Sequence, residues 1–300
     1  MTHHWELLRA LGAVADSPAA ARAVAGPLGL APVSDAGHTE VFVLNCPPYA
    51  SVYLGPDGAL GGEGADRAAG FWRALAIAPP AEPDHLTALL ALYASLGEAA
   101  AGTGRPATAR ALTRSRLSLF REHLWPWLPA YLDAVADLGV PVLTAWAGLT
   151  RSAVAAELAA QPAWPALPLA LRAAPAETPA ALRPAGLADV LTTPVRSGII
   201  LTRHRLAAGA GQAGVGHRIG ERRYALRAMF GQDPQATLTW AAAEAARWRR
   251  RHARRAAGDD VAGWWAARAA RTGTLVREHR AGIKTEARSP APGPGRPGRR

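Results

Sequence analysis

The sequence predicts an all-α protein, because helical periodicity runs through most of the chain and strand signals are scarce. The clearest apolar stripe consists of Leu86, Leu89, Leu90, Tyr93 and Leu96. Their spacing of i, i+3, i+4, i+7 and i+10 places them on one face of a helix. Only residues 41–44 and 51–54 have β-like composition, and each run fits a buried helix equally well. With 300 residues, 49% of them hydrophobic, the chain is long enough for a large core.

The helices of the first 160 residues are delimited by proline and glycine. Pro83 suits the first position of the stripe helix, and Asp84 suits its first turn, where the helix dipole favours an anion. A second helix is predicted from about residue 107 to 123, and Pro126 interrupts it. A further apolar stripe ends at Gly139-Val140-Pro141, and an alanine-rich helix follows over 142–160.

The second part of the chain begins after a proline-rich stretch. Six prolines over 161–186 recur too often for a helix and predict a connector. Helices are predicted over 199–208, over 218–230, from the cap Asp233-Pro234 onwards, and over 261–280. The length allows one large or two modest domains, and the predicted helical parts are residues 1–160 and 187–284. A tail rich in proline, glycine and arginine, 285–300, is predicted to be disordered.

The basic charge is concentrated at the C-terminal end. Residues 247–300 hold 15 of the 34 basic groups but only 4 of the 23 acidic groups, so they account for the whole net charge of +11. This segment favours an alternative function, a basic helical regulator that binds nucleic acid. Against that alternative, Trp248 places one face of the same helix in the core, and no DNA-binding motif accompanies the arginines.

Neither a membrane segment nor an enzyme motif is visible. No apolar run approaches the roughly 20 residues that span a bilayer, no secretion signal begins the chain, and Cys46 is the only cysteine. These features predict a cytoplasmic protein. The glycines of 209–214 match G-x-G-x-x-G but lack a preceding strand, which favours a helix–helix turn. No zinc pattern and no nucleophile elbow around Ser197 appear, so we predict neither a metal nor a cofactor nor catalysis.

Two polar stretches stand out within the helical pattern. The first is Glu82-Pro83-Asp84-His85, and the second is Glu122-His123-Leu124-Trp125-Pro126-Trp127. Judged from residue type alone, helix capping and hydrogen bonding are the favoured roles of Asp84 and His85. An acid–base pair drawn from both stretches would require that they meet in the fold. Most tryptophans are expected in the core, and a few at the rim of a peptide-binding groove.

The order of several short motifs resembles the TorD/DmsD/NarJ family of cytoplasmic chaperones. The similar segments are residues 47–54, 61–63, 71–75, 82–86, 120–127, 196–198, 220–223 and 240–248. The resemblance covers about residues 45–250. It implies an all-helical, TorD-like bundle that binds the twin-arginine leader of an immature molybdopterin oxidoreductase until its cofactor is inserted. The protein would then be a binding protein and not an enzyme.

The resemblance also implies where the leader binds. Such a leader has paired arginines followed by an apolar stretch, so its site needs acidic acceptors beside apolar walls. Glu82, Asp84 and Glu122 are the candidate acceptors. The predicted leader-binding set comprises Glu82, Asp84, His85, Glu122, His123, Trp125 and Trp127. A third possibility is a structural subunit that stays with its redox partner.

Overall fold

The computed structural model describes residues 2–175 and 184–286, and over these residues the chain is helical without a strand. The first helices are α1 (Thr2–Ala13), α2 (Pro18–Ala25), α3 (Asp35–His38), the π-helical segment π1 (Thr39–Asn45), α4 (Ala50–Leu54) and α5 (Gly62–Ala74). Next come α6 (Leu86–Gly102), α7 (Pro106–Leu119), the π-helical segment π2 (Phe120–Leu124), α8 (Leu128–Ala136) and α9 (Pro141–Ala159). The all-α prediction is confirmed.

The second half of the chain continues the helical pattern. Its helices are α10 (Leu169–Arg172), α11 (Pro184–Thr192), α12 (Pro194–Ser197), α13 (Arg203–Ala213), α14 (Arg222–Gln232), α15 (Pro234–Ala253) and α16 (Asp260–Glu286). The predicted connector therefore contains the short α10 and the start of α11, and residues 176–183 lie outside the described part. Helix α16 extends two residues into the predicted tail, whose remainder, 287–300, also lies outside the described residues.

The two ambiguous apolar runs are helical. Residues 41–44 lie in π1, whose last turn closes with the Cys46 amide donating to the Val41 carbonyl at 2.7 Å. Asn45 secures this end, since its Nδ2 donates to the Glu40 carbonyl at 2.8 Å and its Oδ1 accepts from the His204 amide at 2.9 Å. Residues 51–54 lie in α4, which is buried along its whole length.

Helix α6 buries the predicted leucine stripe but begins later than predicted. Pro83 and Asp84 precede the helix, and His85 is its N-cap. The reason is a long-range pairing: the Ala50 amide donates to the Asp84 carbonyl at 3.0 Å, and the Leu86 amide donates to the Pro48 carbonyl at 2.8 Å. His85 is thereby held extended against Tyr49, and Pro83 and Asp84 form a turn before it, which overrides the local signal for a helix start.

The glycine-rich motif is mostly inside a helix, contrary to the predicted turn. Helix α13 runs to Ala213, and Gly214 caps it in the left-handed region with φ of 68°. It begins four residues later than predicted, because the Thr202 hydroxyl caps it by accepting from the Arg205 amide at 3.1 Å. A Cβ on Gly209 would lie 2.3 Å from the Trp240 indole, so this glycine permits α13 to pack closely on α15.

One hydrophobic core includes residues of both predicted parts. Tyr53, Trp127 and Trp146 from the first part and Trp248 from the second are fully buried within a single cluster. Two indole hydrogen bonds cross between the parts: Trp125 donates to Asp259 at 3.2 Å, and Trp265 donates to the Pro126 carbonyl at 2.7 Å. The division into residues 1–160 and 187–284 stays a prediction, and the two parts pack as one body.

Half of the arginine-rich face of α15 is directed inwards. Asp137 accepts from Arg247 at 2.6 Å and holds both terminal nitrogens of Arg251 at 2.8 Å, while Arg255 pairs with Asp133 at 2.7 Å. Spacing by four residues puts these arginines on one face. Burial alone would raise the pKa of Asp137, but the hydrogen bonds from the two arginines outweigh it and lower that pKa. These arginines thus join α15 to α8.

Candidate functional site

Asp84 and His85, at the first polar stretch, are structural groups in this conformation. The Asp84 side chain is 2% exposed, and its Oδ2 accepts from the Ser51 amide at 2.8 Å. His85 is 6% exposed; its Nδ1 accepts from the Thr87 amide at 3.2 Å, and burial lowers its pKa. The geometry therefore shows the hydrogen-bonding roles, and it does not present the Asp84 carboxylate to a ligand at the surface.

Glu82 is the residue of this stretch that faces solvent. Its Oε1 accepts from the Tyr49 hydroxyl at 2.8 Å, and burial together with this carboxylate raises the pKa of Tyr49. The preceding loop, residues 76–81, consists entirely of apolar residues and is largely exposed, with Ile77 41% exposed. An anchored carboxylate thus stands at the end of an apolar surface loop.

The two tryptophans of the second stretch point into the core. Trp127 is fully buried, stacks on Tyr53 with ring centroids 5.2 Å apart, and donates to the His123 carbonyl at 2.8 Å. Trp125 is 5% exposed and stacks on Phe120 at 5.8 Å. The predicted apolar contacts of the leader are therefore inaccessible here, because π2 and the turn at Pro126 direct both indoles inwards.

Glu122 and His123 line a cleft of about 390 Å³, which we call the front cleft. Its walls are Arg67, Phe71, Glu122, His123, Leu169, Ala170 and Arg172. Glu122 remains partly exposed and accepts from the Leu169 amide at 2.7 Å through Oε2. Burial and the positive charge of Arg67 lower the pKa of His123 to about 4, so its imidazole is neutral at pH 7. The cleft thus combines apolar walls, one carboxylate, a neutral imidazole and two arginines.

A second cleft, about 210 Å³ in volume, lies between the proline-rich stretch and the loop before α16; we call it the rear cleft. Leu158, Trp164, Leu167 and prolines 162 and 168 supply its apolar lining, and Asp259 and Asp260 supply carboxylates. Sequence reasoning missed these acids. An Asp pair at a helix start is an ordinary capping signal, and Asp259 does cap α16 by accepting from the Val261 and Ala262 amides.

The two polar stretches are neighbours without sharing a cleft. Helix α5 joins them: the Trp72 indole donates to the Pro83 carbonyl at 3.1 Å, and the Phe71 ring lies 5.2 Å from that of His123. Glu82, Asp84 and His85 do not line the front cleft, however. The sequence predicts one peptide-binding groove that both stretches share. In the structure they are separate, because Asp84 and His85 hold the segment before α6 in place.

The described residues lack two features that would indicate another class of site. Within residues 2–175 and 184–286, no three His, Cys, Asp or Glu side chains are grouped as metal ligands. Over the same residues, none of the helices combines the length and apolarity needed to cross a bilayer.

A match to a protein family covers both polar stretches. Residues 34–133 match the family described as nitrate reductase delta subunit, a range that includes Glu82–His85 and Glu122–Trp127. No curated protein and no solved structure matches the chain significantly. The recognition made from the short motifs is confirmed over this range, one third of the chain, which is similar to the NarJ/TorD-type chaperones of molybdoenzymes.

Proposed function

We propose that the protein is a cytoplasmic chaperone, not an enzyme, that binds the twin-arginine leader and the immature form of a molybdopterin oxidoreductase before export. The observation that supports this most directly is the front cleft, where the Glu122 carboxylate stands beside Phe71 and the half-exposed Leu169. A guanidinium group binds a carboxylate by charge-assisted hydrogen bonds, and an apolar stretch needs apolar walls. Glu122 and Phe71 lie within the segment that carries the family match, and Leu169 completes the apolar wall from outside it.

The predicted leader-binding set divides into contacting and positioning residues. Glu82 and Glu122 are the carboxylates that a leader can reach, and we assign them to the arginine pair. His123 supplies a neutral wall of the front cleft. The remaining four, Asp84, His85, Trp125 and Trp127, hold these groups in place from the core. A substitution at Asp84 would therefore destabilise the fold, so a loss of binding in that variant would not identify a contact with the leader.

The cations around the front cleft constrain how a leader lies in it. Arg67 is paired with Glu63 at 2.5 Å, whereas Arg172 donates to the Leu167 carbonyl at 3.0 Å, an acceptor without a negative charge. Like charges repel, although salt screens them beyond about 10 Å. We therefore place one arginine of the leader at Glu122, the other towards Glu82, and the apolar stretch towards Phe71 and Leu169.

The double variant E82Q/E122Q tests this assignment. We expect its affinity for a synthetic peptide, two arginines followed by twelve leucine and alanine residues, to fall about a hundredfold in isothermal titration calorimetry. The reason is that each charge-assisted hydrogen bond contributes on the order of 1.5 kcal/mol. Glutamine keeps the shape and removes the charge. E98Q is the matched control, because Glu98 pairs with Arg9 about 18 Å along α6 from its start. An unchanged affinity in a folded double variant would contradict the proposal.

The nucleic-acid alternative rests on the outward half of the arginine face. Arg249, Arg250 and Arg254 are exposed, and Arg249 and Arg277 line a cleft of about 340 Å³ between α15 and α16. Removing the last fifty residues would not test the nucleic-acid alternative alone. The truncation would also remove Trp265, which α16 contributes to the core.

The triple variant R249Q/R250Q/R254Q separates the two functions without disturbing the core. The chaperone proposal predicts that its affinity for the leader peptide stays within about twofold of the wild type, because these side chains lie outside both clefts. It also predicts that the wild-type protein leaves labelled duplex DNA unbound in fluorescence anisotropy at 150 mM salt. DNA binding that disappears in the triple variant would favour the regulator instead.

A further inference from the structure

We infer that residues 162–169, here called the strap, occupy the binding trough of the protein as an internal ligand, and that a bound leader displaces them. The inference rests on the leader-binding function proposed above and concerns how that site is regulated. It adds a second set of acceptors, Asp259 and Asp260, that no motif of the sequence indicates.

The strap lies across the second polar stretch and is held by a few contacts. Arg121 donates to the Ala166 carbonyl at 2.5 Å, and its guanidinium group lies 5.6 Å from the Trp164 ring centroid. Glu122 accepts the Leu169 amide at 2.7 Å. Pro168 is the only buried residue of the strap, whereas Ala170 and Leu171 beyond it are anchored in the core. The strap is therefore loosely held along its length and firmly attached at its far end.

The surface under the strap is aromatic. Trp164 packs against Phe120 with ring centroids 6.4 Å apart, and Phe120 in turn stacks on Trp125. Both covered side chains are at most 5% exposed. Moving Trp164 away would uncover Phe120 first and bring Trp125 within reach of a ligand. The sequence-based assignment of Trp125 to the leader would then hold in the open form.

The strap is also the wall that the two clefts have in common. Leu169 lines the front cleft, and residues 162–168 contribute most of the near wall of the rear cleft. The clefts hold about 390 and about 210 Å³. A twelve-residue helix is about 18 Å long and about 10 Å wide, and the strap divides the surface on which it would lie into two separate clefts. With the strap displaced, the clefts join into one trough with Glu122 at one end and Asp259 and Asp260 at the other.

The chemistry of the strap indicates what replaces it. Its sequence, Pro-Ala-Trp-Pro-Ala-Leu-Pro-Leu, is wholly apolar, and its contact with Glu122 is a single N–H donor. A leader offers an apolar stretch of similar character, together with guanidinium donors that bind a carboxylate more strongly than one amide does. Exchange of the strap for the leader therefore keeps the apolar contacts and strengthens the polar one.

The variant L169P releases Glu122 from the strap without disturbing α10. Leu169 is the first residue of α10, where proline fits and its missing N–H costs no helical bond, and Pro168 has φ of −51° and ψ of 145°, which a following proline accepts. L169A loses the same side chain but keeps the amide. We expect L169P to bind the arginine–leucine–alanine peptide about three to ten times more tightly than L169A does, because self-competition for Glu122 is removed.

Hydrogen exchange of the wild-type protein gives a second readout that does not depend on the variants. Adding the peptide should accelerate exchange at the Leu169 amide and slow it at residues 120–125, since the strap leaves and the leader covers π2. Peptide binding with equal affinity in both variants and unchanged exchange at Leu169 would overturn the strap inference and leave the chaperone proposal standing. A peptide that binds neither wild type nor variants would overturn both.

Discussion

Replacing Gly198 by alanine is expected to destabilise the protein by at least about 3 kcal/mol and to reduce its yield as a folded protein. Gly198 ends α12 with φ of 73°, and a Cβ there would lie 2.4 Å from the Ala269 nitrogen and 2.9 Å from the Arg268 carbonyl carbon. These are backbone atoms of α16, which no side-chain rotation can move. The clash adds to the roughly 1–2 kcal/mol that the left-handed region costs an L-residue.

Gly214→Ala is the matched control for this substitution. Gly214 has nearly the same conformation, φ of 68°, but nothing lies within 4 Å of the site of its Cβ. Its replacement should therefore cost only about 1 kcal/mol, the conformational part of the effect. Urea unfolding followed by circular dichroism measures both values. Equal losses in the two variants would show that α12 and α16 do not approach as closely as described.

Mild acid is expected to reduce the stability of the wild-type protein strongly before most carboxylates titrate. Burial, with the charge of Arg255 as the next cause, lowers the pKa of His252 to about 3, and burial lowers that of His123 to about 4. An unfolded histidine has a pKa of about 6.5. The unfolded state therefore binds more protons, so this stability is fully present above pH 6.5 and is lost as the pH falls towards the folded values.

The size of the acid effect follows from the two shifts. Each histidine contributes a slope of about 1.4 kcal/mol per pH unit below 6.5, so the free energy of unfolding should drop on the order of 4 kcal/mol between pH 7.5 and 5. Urea midpoints at pH 7.5, 6 and 5 measure it. H252Q should remove about half of the slope, whereas H217Q, in an exposed loop, should leave it unchanged. A flat profile over this range would contradict the neutral, buried state of both rings.

The parts of the fold that the sequence predicts well are those set by local periodicity. The leucine stripe of α6 is buried as expected, because one helical face is determined by spacing alone. The predicted start of α6 is wrong because residues 48–50, distant in sequence, pair with residues 84–86 through backbone hydrogen bonds. The predicted turn at Gly209 is wrong for a similar reason. Its packing partner Trp240 is thirty-one residues further along the chain, and local spacing does not predict that contact.

The candidate site follows the same division between local and long-range information. Residue types located both polar stretches, and the family match includes them. Residue types did not reveal that the Asp84 carboxylate is used by the Ser51 amide, because that contact depends on how α4 packs on the segment before α6. Asp259 was missed because it reaches the second stretch only through the folded loop before α16.

The reciprocal indole hydrogen bonds between the second stretch and α16 have a consequence for biosynthesis. Trp125 and Pro126 find their partners 134 and 139 residues downstream. A ribosome therefore has to deliver the chain at least as far as Trp265 before this region acquires its final shape. A chain that stops before Asp259 would lack both partners, so Trp125 and Pro126 would not form these contacts.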